Sequence, residues 1–114
     1  MVKIIDPEEM EGYSPLGHNA VVNKQMVGKN IGSSKMNAAL GRMAPGGLTE
    51  MHSHDNSEQF HYVLKGEVTI TSPDGNFKLA EGRGCWSAAG ELHGMLNETS
   101  QDSIYLVFTA PTIV

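Results

Sequence analysis

The sequence has one cysteine, Cys85, so no intrachain disulfide framework holds it together. Basic residues are few: 8 Lys and Arg against 13 Asp and Glu, for a formal net charge of −5. The lysines are scattered and only Arg42 and Arg83 join them, which excludes the clustered positive surface that a phosphate backbone needs. Nucleic acid is not an expected partner. No apolar run approaches the roughly 20 residues of a membrane helix. The N-terminus turns polar directly after Ile4 and Ile5, without the apolar centre of a signal peptide. The expectation is a cytoplasmic protein with no membrane partner. Helical periodicity is nearly absent too. The best candidate is a single turn over 7–10, with Asp6 as N-cap and Pro7 in the first helical position.

What the chain does have is length for one domain, 1–114, and many short runs of strand-forming residues punctuated by glycine. Strands are expected at 20–23, 36–43, 58–64, 67–71, 76–79, 84–88, 93–97 and 103–109. Ser72-Pro73-Asp74-Gly75-Asn76 is a hairpin turn, with proline setting φ and Asp-Gly supplying the positive-φ positions. Eight short strands with glycine corners predict an all-β chain, a two-sheet or closed barrel of the jelly-roll kind. The polar, glycine-rich segment 27–34 reads as a mobile loop near one mouth of that barrel.

Histidine spacing carries the chemistry. Residues i and i+2 of a strand share a face, so His52 and His54 can aim two imidazoles at one point. The same alternation puts Gln59, His61 and Val63 on one face, and Phe60, Tyr62 and Leu64 on the other. An antiparallel barrel can bring His93 opposite the His52/His54 pair and leave Gln59 between them. Three neutral imidazoles and an amide oxygen suit one divalent transition ion, Mn, Fe, Ni, Cu or Zn. On an octahedral ion such a set leaves two positions for water or substrate. His18 reads as a surface residue, and Cys85 as a buried structural thiol.

Gly46-x5-His52-x-His54-x4-Gln59-x6-Gly66 resembles the first motif of the cupin superfamily, and Gly82-x5-Ala88-x-Gly90-x2-His93-x3-Asn97 resembles the second. The resemblance implies a double-stranded β-helix, with motif 1 at 46–66 and motif 2 at 82–97, and a homodimer whose N-terminal strand reaches over its neighbour. Two positions depart from the pattern. Ala88 stands where the second motif has proline. Gln59 stands where the first has a glutamate ligand, and Glu58, next to it, is the alternative ligand. A carboxylate would neutralise one of the ion's two positive charges and an amide neutralises none, so a Gln59 site holds the stronger Lewis acid and binds its ion less tightly.

The His, His, Gln, His set is similar to that of small cupins that ketonise unsaturated uronates. Their last strand carries an acid-base Asp two residues before a Phe and an Arg soon after. Aligned on Phe108, this chain has Leu106 and Thr112 at those places, so the activity is not carried over. Met43, Met51, Met95 and Phe108 are candidate lining residues, and His61 and Tyr105 are candidate proton-handling groups. The expected function is a metal-dependent enzyme acting on an oxygenated small molecule with a carbonyl or carboxylate, by isomerisation, tautomerisation or elimination. An Fe(II) dioxygenase and a non-catalytic ligand-binding domain are the alternatives.

Overall fold

Gly46, Gly66, Gly82 and Gly90, the fixed glycines of the two motifs, all take positive φ, between 78° and 82°. Residues with a Cβ are strained there, so these positions punctuate the chain and keep its strands short. The computed structural model describes residues 2–114. Its strands are β1 (His18–Val27), β2 (Asn37–His52), β3 (Glu58–Lys65), β4 (Glu67–Ser72), β5 (Gly75–Ala80), β6 (Gly84–Ser87), β7 (His93–Leu96) and β8 (Ser103–Ala110). The all-β jelly roll expected from the sequence is the observed architecture. Pro7–Glu9 form a short 3-10 turn capped by Asp6, whose carboxylate accepts the Glu8 N–H.

All pairings are antiparallel, in the order β5-β4-β7-β2-β8-β3-β6, with β1 added along β2. β2 makes this a barrel. Its first part, Asn37 to Met43, pairs with β8, and its last part, Leu48 to His52, pairs with β7. The strand therefore belongs to both walls, and one residue, Asn97, ties its bend. Asn97 is fully buried and donates its amide to the carbonyls of Met43 and Gln101, while its backbone exchanges bonds with Gly46 and Gly47. The asparagine that closes the second motif thus fixes where the first motif's strand turns toward the other wall.

The core between the walls is built from Val21, Met43, Val63, Val68, Ile70, Leu79, Met95 and Tyr105. Gly41 lets Tyr105 lie flat, because a Cβ there would run into its ring. Two expectations change here. β1 and β2 extend well beyond 20–23 and 36–43, because bulges at Ala20 and across 44–47 let pairing continue through residues that look like a turn. The 27–34 segment is partly built into the fold: Val27 completes β1, and Lys29–Ile31 form a 3-10 turn whose Lys29 N–H donates to the Val114 carbonyl.

Candidate metal centre

His52 and His93 are direct partners across β2 and β7, although they lie far apart in the chain. His54 follows just past the end of β2, and its carbonyl accepts the Gly90 N–H, tying the first motif to the turn before His93. In that turn the Ala88 N–H donates to the Glu91 carboxylate at 2.8 Å. The proline of the usual pattern has no N–H, so Ala88 replaces a rigid residue by a hydrogen-bonded one. The ligand atoms of His52, His54 and His93 lie within 4.8 Å of one another.

Each imidazole's spare nitrogen shows what the cluster can hold. His52 Nδ1 donates to the Glu50 carbonyl at 2.8 Å, and His93 Nδ1 to the Glu91 carbonyl at 2.9 Å. Those bonds fix the tautomer and leave both Nε2 atoms with a free lone pair. Gln59 Nε2 donates to Thr109 Oγ1 at 3.0 Å, which turns Gln59 Oε1 toward His93 Nε2, 2.7 Å away. Burial, reinforced by His52, holds His93 below the usual imidazole range, against the raising effect of the Glu91 carbonyl. Burial first, then His52 and His93, lowers His54 as well. Ring nitrogens of His52, His54 and His93 and the Gln59 amide thus converge as neutral donors, the kind of set a divalent transition ion takes. The residues present therefore fit a divalent ion. Glu58, the other candidate ligand, points outward and accepts from Trp86 Nε1 at 2.8 Å.

His61 is buried beside this cluster, edge-on to His93 with ring centres 5.7 Å apart. Burial, then repulsion from His93, His52 and His54, pushes its pKa from 6.5 down to about 3. The unfolded chain binds the proton more readily, so this group stabilises the fold above its unfolded value and loses that contribution as pH falls. Urea unfolding of the metal-free protein is expected to show stability declining steadily from pH 6.5 toward 3. A His61→Leu variant should show a shallower decline, and parallel curves for the two proteins would refute this.

The cluster opens into a cavity of about 680 Å³. Tyr105, Met51 and Met95 line it, and burial raises the Tyr105 hydroxyl's pKa. Met43 and Phe108 do not line it. Met43 lies wholly in the core, and Phe108 faces outward and stacks on Phe60. The inward residues of β8 are Tyr105, Val107 and Thr109, so aligning the strand on Phe108 compared outward positions. No residue of β8 brings a carboxylate or a guanidinium to the cavity. Sequence reasoning missed His18, which opens β1 after the positive-φ Gly17 and lines the mouth with its ring centre 6.1 Å from that of His52. Only its strand parity could have placed it, and the bulge at Ala20 obscures that parity.

Comparison with known proteins now bears on this geometry. The family described as "Cupin domain" matches residues 39–109. No curated protein matches the sequence. Among solved structures, the polyketide cyclase RemF from Streptomyces resistomycificus is 20% identical with a TM-score of 0.85, over 100% of this chain and 87% of that one. KdgF from Halomonas sp. is 15% identical with a TM-score of 0.83, over 97% and 94% of the two chains. TT1209 from Thermus thermophilus is 28% identical with a TM-score of 0.76, over 96% and 98%.

Proposed function

The chain belongs to the cupin family, and from that premise we propose that it is a small metal-dependent enzyme promoting enolisation of a carbonyl compound, leading to isomerisation, tautomerisation or elimination. The observation that carries this is the convergence of His52, His54 and His93, with ligand atoms within 4.8 Å of one another, and of Gln59, 2.7 Å from His93 Nε2, on one cavity. His52, His54, His93 and Gln59 would hold a divalent transition ion, which would supply Lewis acidity toward a carbonyl oxygen with no ligand carboxylate to diminish it. Among the described residues no Lys or Arg lines the cavity, which favours a neutral carbonyl over a substrate with several anionic groups.

The chain's own side chains then do the rest. His61 stays neutral at physiological pH and faces the same space, so it is the group assigned to take the proton from carbon. A base of so low a pKa is weak, and the carbon it serves must be acidified, as beside a carbonyl bound to a cation. Tyr105 keeps its hydroxyl proton and is placed to donate a hydrogen bond to a substrate oxygen.

Proton exchange tests this without knowledge of the natural substrate. Zinc-loaded protein in D2O with dihydroxyacetone should exchange the methylene protons, followed by proton NMR, faster than chelator-treated protein. His61→Ala is expected to slow exchange by about a hundredfold or more, the usual contribution of a positioned base. Exchange no faster than in the chelated control would overturn the proposal. Oxygen consumption by iron-loaded protein, with no exchange, would favour a dioxygenase instead.

A further inference from the structure

His18 repeats, at the mouth of the cavity, the arrangement that prepares two of the cluster's imidazoles. Its Nδ1 donates to the Leu16 carbonyl at 3.0 Å, as His52 Nδ1 does to Glu50 and His93 Nδ1 to Glu91. In all three the acceptor is the carbonyl two residues earlier. A carbonyl can only accept, so in the neutral ring the proton sits on Nδ1 and Nε2 keeps its lone pair.

That lone pair is unclaimed and within reach. No donor among the described residues bonds His18 Nε2, and the one ion pair among them joins Arg42 to Asp102, so no carboxylate holds the ring. The side chain is half-buried and lines the cavity. The buried unpartnered side-chain atoms are Asn23 Oδ1, Gln25 Oε1 and Thr49 Oγ1; His18 Nε2 is not one of them, so it keeps accessible surface.

The backbone fixes where the ring stands. Gly17, at positive φ, turns the chain into β1, its carbonyl accepts the Glu50 N–H at 3.0 Å, and His18 pairs with Thr49. The turn is thereby tied to the stretch of β2 that carries His52. The two ring centres are 6.1 Å apart. Yet His18 does not join the three histidines whose ligand atoms lie within 4.8 Å of one another. Ligand atoms about 2.1 Å from one ion are at most about 4.2 Å apart. His18 therefore stands beside the ion's place and not on it, where a molecule held by the ion would come.

We propose that His18 is a substrate-binding residue, whose Nε2 accepts a hydrogen bond from a hydroxyl on the carbon next to the ion-bound carbonyl. This deepens, and rests on, the enolisation reading given above. The substrate class is then an uncharged α-hydroxy aldehyde or ketone. An α-hydroxy acid is disfavoured, because the one carboxylate lining the cavity, Glu50, would repel it and no Lys or Arg would hold it.

The probe is acetohydroxamic acid, an uncharged carbonyl compound with a hydroxyl on the adjacent atom, titrated by calorimetry into the zinc-loaded full chain. His18→Phe should bind it about tenfold more weakly than the unaltered protein, the ratio expected of one well-made hydrogen bond. His18→Gln, whose amide oxygen can accept the same bond, should stay within about threefold. Zinc affinity should be the same in all three. In the unaltered protein, nitrogen NMR should show the His18 Nε2 signal moving upfield as the probe is added, and this decides alone if a variant does not fold. Equal probe affinity in His18→Phe, a stationary Nε2 signal, or zinc affinity that falls with His18 would overturn the assignment. Two further outcomes separate it from the reading it rests on. A probe bound as tightly after chelation would sink the metal reading and this contact with it. A probe bound through zinc and His18, without proton exchange from dihydroxyacetone, would sink the enolisation alone and leave the contact standing.

Discussion

Replacing His93 by alanine is expected to lower the affinity for a divalent ion by more than about a hundredfold, since loss of even an outer partner of a ligand costs 10–100-fold. Elemental analysis after dialysis should find the variant essentially empty, while its barrel remains folded by circular dichroism. His93 is buried and also takes the Gln59 contact, so its removal deletes one proposed ligand and frees the other proposed one to turn away. Gln59→Glu should move affinity the opposite way, because a carboxylate adds a negative charge next to the cation. Metal content that is unchanged in both variants would mean that these side chains do not hold the ion.

The second large effect is structural in origin. Gly94 sits between β4 and β2, and a Cβ there would lie 2.6 Å from Thr71 Oγ1, 2.7 Å from the Thr49 carbonyl oxygen and 3.1 Å from the Met51 nitrogen. Two of those atoms are backbone of the strand that carries His52. Gly94→Val should therefore destabilise the fold by about 3 kcal/mol, the upper part of the overpacking range. It should also weaken metal binding by at least about tenfold by parting β7 from β2 where His52 faces His93. A urea midpoint and metal affinity matching the parent protein would show that the strands tolerate the added methyl groups.

The histidine cluster was legible because its logic is local. The i, i+2 spacing of His52 and His54 and the alternation along 58–64 are consequences of strand geometry that any barrel must respect. Those alternations also send Glu58 out and Gln59 in, as found. What the sequence hid depends on bulges and on register. Ala44-Pro45-Gly46-Gly47 has the composition of a turn, yet β2 runs through it as a bulge of its own, four residues opposite Ala20 alone. The inward parity of β8 is set by pairing with β2 and β3, and no residue in 103–109 announces it. That is why Phe108 looked like lining and Val107 did not. His18 belongs to no motif at all; it matters only because β1 is laid along the rim of the cavity.

The facing of His52 and His93 across two strands also bears on how the molecule is made and lost. Their pairing joins segments separated by 41 residues, 93 minus 52, so the histidine cluster is complete only once long-range topology is in place. Contacts that form after the rate-limiting ensemble slow escape from the native state without hastening arrival at it. An ion at this junction would act as a latch: refolding would proceed at much the same pace with or without it, and the lifetime of the finished barrel would lengthen.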